Sequence, residues 1–329
     1  MAEISVITPL YNREGLVQKT IDSVLNQTFT DWEHIIVDDG STDKSWFVVS
    51  SYAETDNRIR VFKRDREPQC ASTCRNIGVE HATSSLIVFL DSDDILESHC
   101  LEQRYAYMHN NPHVDLGVFP FIIEMETEDN TIVRKIVHPQ VRGADFLRRL
   151  LSFDIPWQTT AAVWRKDFFL SLGGFNEEFQ RYQDVELTVR ALTGKATVEI
   201  VYGYPPDYVY YLYSKSGDFE VNYHAQLNLL KYIAPIFGIK ERKVMDDYLG
   251  TFLQHKYRKQ MSRANYKKTK LLINEYYNYK IISLTQVIPL KILILFLLIN
   301  IFISEKYRVV YKKCMLKIFH KKGFNTYTP

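Results

Sequence analysis

The chain has 329 residues, 46% apolar and 24% charged, with a formal net charge of +2. This is the composition of an ordinary globular protein, with room for one large α/β domain and an appendage of roughly 80 to 100 residues. The small net charge argues against a polyanionic partner, but it averages two unlike parts: from His255 to Pro329 there are 16 Lys and Arg against 2 acidic residues, a basic tail on an acidic body. Cys70, Cys74, Cys100 and Cys314 show no zinc-site spacing and read as reduced thiols of a cytosolic protein. The N-terminus enters a strand directly, without the basic and apolar regions of an export signal.

In chain order, Glu3 to Pro9 reads as a first strand, and Glu14 to Gln27 carries the helical stripe Leu16, Val17, Ile21, Val24 and Leu25. Trp32 to Val37 is a second strand, ending at Asp38-Asp39-Gly40-Ser41, where the glycine permits a tight turn before a helix from Asp43 to Glu54. Arg58 to Lys63 predicts a third strand, Ser72 to Ala82 a helix, and Leu86 to Leu90 a strand buried on both faces. This alternation with short connections is the signature of βαβ units, a Rossmann-like layout. Neither G-x-G-x-x-G nor G-x-x-x-x-G-K-[ST] is present, so any nucleotide must be held by carboxylates and a metal. Asp38-Asp39 and Asp91, Asp93 and Asp94 end two strands on one sheet edge, where ligands of open α/β sheets bind. Crowded carboxylates repel unless a cation lies between them, and hard oxygens suit Mg²⁺ or Mn²⁺. The plain alternatives are turn chemistry at Asp38-Asp39 and a helix cap at Asp94.

Further on, Val114 to Val137 predicts two or three partly antiparallel strands, and Gly143 to Leu151 a helix. Trp157 is either a sugar-stacking platform on the acceptor side or ordinary packing. Val185 to Leu192 reads as a helix, with Asp184 in its first turn, and Val198 to Tyr202 and Tyr208 to Tyr213 as closing strands.

The segments ISVITPLYN (Ile4 to Asn12), IIVDDGSTD (Ile35 to Asp43), CRNIGVEHA (Cys74 to Ala82), FLDSDD (Phe89 to Asp94) and GGFNEEFQRYQD (Gly173 to Asp184), in that order, resemble glycosyltransferase family 2. These are inverting, metal-dependent nucleotide-sugar transferases with a GT-A fold. The resemblance covers about the first 215 residues. It implies that Thr8, Pro9 and Tyr11 line a uracil pocket and that Asp39 accepts the base N3–H. It further implies that Arg75 meets the base or the diphosphate, and that Asp91 lies near the ribose. Asp93, supported by Asp94, would hold the metal, and Asp184 would take the proton of the acceptor hydroxyl. Gln183 stands where the family has glutamate and Asn176 where it has aspartate, which affects the tuning of that base. The family's late metal-shell histidine has no direct counterpart, with Lys215 and His224 as candidate substitutes.

The tail reads as helical and basic. Its longest apolar run, Ile292 to Ile303, is shorter than the roughly 20 residues that span a bilayer; with the cationic stretch Glu305 to Lys322 it fits a helix lying on anionic lipid. The alternative is a helical pack on the catalytic domain. The expectation is therefore a GT-A domain over residues 1–218 with a helical, basic extension over 219–329. Such a chain would be a peripheral enzyme of the inner face of the cytoplasmic membrane. It would transfer a sugar from a UDP-type donor to a growing, lipid-linked glycan, with Mn²⁺ or Mg²⁺. Rival readings are a catalytically weakened sugar-nucleotide-binding or scaffold subunit, supported by Gln183, and a nucleic-acid binder, opposed by the apolar run.

Overall fold

All seven residues of β1 (Ile4–Leu10) and all seven of β2 (Trp32–Asp38) are buried, as befits strands covered by helices on both faces. The computed structural model describes residues 2–126, 131–139, 157–194, 196–212, 219–238 and 263–282, with Val287 and Lys291. The chain divides into two compact units, Met1–Gly217 with His224–Ile233, and Asp218–Tyr223 with Ala234–Pro329.

In the first unit, α1 (Val17–Leu25), α2 (Ser45–Thr55) and α3 (Ala71–His81) alternate with β1, β2, β3 (Ile59–Lys63) and β4 (Leu86–Phe89). The alternation expected from the sequence is present, with boundaries moved by one to three residues. Helix α1 buries Val17, Ile21 and Val24 completely, the one-sided stripe that makes a helix dock on a sheet. Helix α3 approaches β1 so closely that a Cβ on Gly78 would lie 2.4 Å from Ile7 Cγ2; only glycine fits there.

Several elements were not read from the sequence. Between β4 and the helix α4 (Cys100–Asn110) lies a two-residue strand, β5 (Ile95–Leu96), so Asp94 does not cap that helix; its N-cap is His99. Strand β9 (Ala162–Arg165) inserts antiparallel between β4 and β6 (Leu116–Val118), while β10 (Val198–Ile200) pairs parallel with β6. The resulting seven-stranded sheet runs β10-β6-β9-β4-β1-β2-β3. A second sheet, β5-β11-β7-β8, contains β7 (Phe121–Glu126), β8 (Ile132–Val137) and β11 (Tyr208–Leu212). This is the mixed, Rossmann-like sheet flanked by helices that defines the GT-A fold.

Helices α5 (Lys166–Ser171) and α6 (Gln183–Thr193) complete this part, and α7 (Phe219–Ile233) follows. In the second unit the described residues include the helix α8 (Arg263–Asn278). There Lys268 pairs with Glu220 and lies 5.8 Å from the Tyr223 ring centroid. The helix expected at Gly143 to Leu151, Lys215 and the stretch Ile292 to Lys322 lie outside the described residues. No helix among the described residues is long and apolar enough to cross a membrane.

Candidate active site

The carboxyl ends of β1, β2 and β4 share one edge because the three strands run parallel, with Leu10 opposite Asp38 and Ile7 opposite Phe89. This register brings the loops after each strand together. Asn12 Oδ1 accepts from Thr42 N at 2.8 Å and Asn12 N donates to Ser41 Oγ at 3.0 Å, while Arg13 N donates to Ser45 Oγ at 2.7 Å. Thr8 is buried on β1, its hydroxyl 2.9 Å from His34 Nε2. Pro9 is buried beside it, and Tyr11 is 46% exposed at the loop.

The two aspartates of the DDGS turn divide the work. Asp38 accepts the N–H groups of Gly40 and Ser41 at 3.2–3.3 Å, the self-hydrogen-bonded turn that aspartate commonly makes; Gly40 has φ +87. Asp39 is instead turned to Arg64 Nε at 2.7 Å. Burial raises the Asp39 carboxyl above its usual range, against the opposing pull of the Cys74 thiol and Arg64.

At the end of β4, Asp91 is paired with Arg75 Nη2 at 2.5 Å. Arg75 is 3% exposed and 5.3 Å from the Phe175 ring centroid, and its Nε and Nη1 have no hydrogen-bond acceptor. A buried guanidinium with two unsatisfied N–H groups is costly, and an anion seated against it would remove that cost. Asp93 keeps a quarter of its side chain exposed, with Arg13 Nε 3.5 Å away. Burial and then the charge of Asp91 raise its pKa. Asp94 points inward, 1% exposed, accepting Thr160 Oγ1 at 2.9 Å. Burial and Asp91 lift it well above the ordinary range.

These residues fit a hard divalent cation of one kind only. No group of three His, Cys, Asp or Glu side chains among the described residues converges on a metal-sized point. Asp93 is the carboxylate best placed to give an oxygen, so a cation here would take most of its shell from water and a ligand's phosphates, as Mg²⁺ and Mn²⁺ do.

Asp184 is the second residue of α6, its Oδ1 accepting Val185 N at 2.9 Å. Burial raises its pKa, Arg75 lowers it and Asp91 raises it again, so the candidate base and the β4 cluster share one electrostatic site. Gln183 opens the helix with a buried Oε1 that has no partner. Trp157 is 4% exposed and so acts as a packing surface; it offers no open face for a sugar. His224 is exposed on α7.

Sequence reasoning missed Tyr210. On β11 it lies one step beyond the Val209–Ile95 pair of an antiparallel register, which carries it beside Asp94. Burial, then the charges of Asp94, Asp91, Asp93 and Asp184, push its phenol up to about 12, so it is a neutral hydroxyl within electrostatic reach of these four acids. Arg13, Arg64 and Thr160 were missed as well. Only the spacing of Tyr208 and Tyr210 on one strand face offered a signal.

Residues 5–168 match the model described as Glycosyl transferase family 2, and the chain belongs to this family. Among its relatives is the Escherichia coli UDP-Glc:alpha-D-GlcNAc-diphosphoundecaprenol beta-1,3-glucosyltransferase WfgD. It is 36% identical over 138 residues, 42% of this chain and 51% of that protein. The Campylobacter jejuni GalNAc(5)-diNAcBac-PP-undecaprenol beta-1,3-glucosyltransferase is 36% identical over 118 residues, 34% of this chain and 38% of that one. The matched region thus spans about half, or less, of the curated relatives' length. The crystal structure of S. aureus TarS 1–349 in complex with UDP-GlcNAc has a TM-score of 0.60 at 16% identity, covering 98% of this chain and 93% of that one. That likeness is one of fold.

Proposed function

We propose that this chain is an inverting glycosyltransferase that moves a sugar from a UDP-linked donor onto a lipid-linked glycan. The observation that carries this reading is Arg75, a buried guanidinium with two unpartnered N–H groups beside Asp91 and within electrostatic reach of Asp184. It supports an anionic donor on one side and a proton acceptor on the other. Relatives named for acting on undecaprenol-linked sugars support the acceptor class.

In this reading Thr8, Pro9, Tyr11 and Asp39 hold the uracil, Asp38 shapes the turn beside it, and Arg75 binds the diphosphate. Asp184 takes the proton as the acceptor hydroxyl attacks the anomeric carbon from the face opposite the departing nucleotide. Asp91 lies near the ribose, and Asp93, supported by Asp94, would hold a divalent cation, which when bound offsets charge on the leaving diphosphate. The transferase domain is residues 1–218. The basic extension, 219–329, docks on anionic lipid at the cytoplasmic membrane face, which salt-sensitive co-sedimentation with anionic but not neutral vesicles would support.

Calorimetry with UDP tests the donor site. UDP should bind at least about tenfold more tightly with Mn²⁺ than with EDTA, and Asp93→Ala should abolish the difference. Equal affinity with and without metal would remove the metal assignment; no UDP binding at all would remove the donor reading. Product analysis with a panel of UDP-sugars and undecaprenyl-linked acceptors then identifies the reaction. A chain that binds UDP-sugar yet transfers nothing would be the scaffold subunit that Gln183 suggests.

A further inference from the structure

We propose that Asn76 and Arg190 are positioning residues that hold the loop bearing Asp184 in register with the donor site; this rests on the reading of Asp184 and Arg75 given above. The loop from Leu172 to the start of α6 carries one strained backbone position, Tyr182. Gly173, Gly174 and Tyr182 all have positive φ, at +83, +72 and +62, and a non-glycine residue in that region persists only where its surroundings over-determine it.

Two braces hold the loop on either side of it. Within the loop, Arg190 forks onto Glu186, which is fully buried, at 2.5 and 2.7 Å. The same guanidinium donates to the carbonyls of Leu172 at 2.6 Å and Gly174 at 2.8 Å. That closes the segment 172–190 on itself, with Asp184 inside the ring. From outside, α3 grips the loop. Asn76 donates to Phe175 O at 2.9 Å and Glu177 Oε1 at 2.8 Å and accepts Phe175 N at 2.9 Å, while Ser72 Oγ donates to Phe179 O at 3.1 Å.

Asn76 directly follows Arg75, so one helical turn of α3 points a guanidinium at Asp91 and an amide at the base loop. The distance between donor and base is set by adjacent residues. A Cβ on Gly174 would meet Asn76 Oδ1 at 2.7 Å, which shows how closely the two fit.

The test compares Asn76→Ala and Arg190→Lys with the full-length chain, using UDP affinity with Mn²⁺ and turnover of each of UDP-glucose, UDP-galactose, UDP-GlcNAc and UDP-GalNAc. Arg190→Lys keeps the charge beside Glu186, so it remains informative if Asn76→Ala fails to fold. The expected result is a fall in kcat of about tenfold or more, with KM for the sugar nucleotide and UDP affinity within about twofold. Native kcat in a folded variant that binds UDP, even with a lowered melting temperature, would make the braces merely structural and overturn the proposal alone. A wild-type chain that binds UDP yet turns over none of the four sugars, with undecaprenyl-linked acceptors present, would be the scaffold subunit and would overturn this proposal; one that binds no UDP would overturn the donor reading as well.

Discussion

Glu33, near the start of β2, and Asp91 to Asp94, just past the end of β4, are acids of one sheet at its opposite edges. Glu33 accepts Ser5 Oγ at 2.7 Å and the Thr83 N–H and hydroxyl at 2.6 and 2.8 Å, and pairs with Arg60 at 2.9 Å. Burial alone would raise its pKa, yet these bonds outweigh it and hold the carboxyl below its ordinary value. At the other edge the opposing bonds and charges do not outweigh burial: Asp93, Asp94 and Asp184 are all raised. The same chemical group is satisfied where it only has to hold strands together and left electrostatically frustrated where a ligand is expected. Perturbed acids clustered at a strand edge point to a functional site, whereas Glu33, satisfied by Ser5, Thr83 and Arg60, serves the architecture.

The largest effect should come from breaking the frustrated edge at its base. Asp184→Asn keeps shape and removes the proton acceptor, so turnover should fall by at least about 10²-fold with UDP-sugar affinity unchanged. Because burial lifts the Asp184 pKa, the acid limb of the wild-type rate profile should lie above the usual aspartate range, the rate falling as pH drops through it. An Asn variant with near-native turnover on its true acceptor would reduce Asp184 to a structural residue.

Breaking the satisfied edge should do the reverse. Glu33→Gln leaves Arg60 without its charge partner and weakens hydrogen bonds to a buried ion, each worth roughly 1.5 to 3 kcal/mol. Chemical denaturation should show a loss of about 2 kcal/mol with UDP affinity unchanged. A variant as stable as wild type, or one that loses UDP binding, would end the division of labour between the edges.

Much of this layout was legible because buried parallel strands announce themselves as unbroken apolar runs, and their ends then locate Asp38, Asp39 and Asp91 to Asp94 without further information. What the sequence did not disclose depends on partners distant along the chain. Strand β5 has only two residues, too few for any periodicity, and β9 looks like any short apolar stretch until it is seen between β4 and β6. The same holds for side chains. That Asp38 serves the turn while Asp39 faces Arg64 is decided by a residue 25 positions away, and Tyr210 joins the site only through the register of β11 on β5.

The smallest effect concerns His34, next to Glu33 on β2 and hydrogen-bonded to Thr8 at the site edge. It is fully buried, and burial holds its imidazole down at about 3 against an ordinary 6.5. The folded chain therefore keeps His34 neutral while the unfolded chain protonates it below pH 6.5, so stability is full above that pH and is lost as pH falls. At pH 5.5 the loss should be about 1.4 kcal/mol relative to neutral pH. Asp93, Asp94 and Asp184 work against it: with raised folded pKa values, they take up protons first in the native state and add stability on acidification. The raw melting curve is a sum of the two edges, and the difference between wild type and His34→Gln isolates one of them. That difference should shift in favour of the variant by about 1.4 kcal/mol between pH 7.5 and 5.5; a difference independent of pH would mean that His34 titrates in the folded chain as it does in the unfolded one.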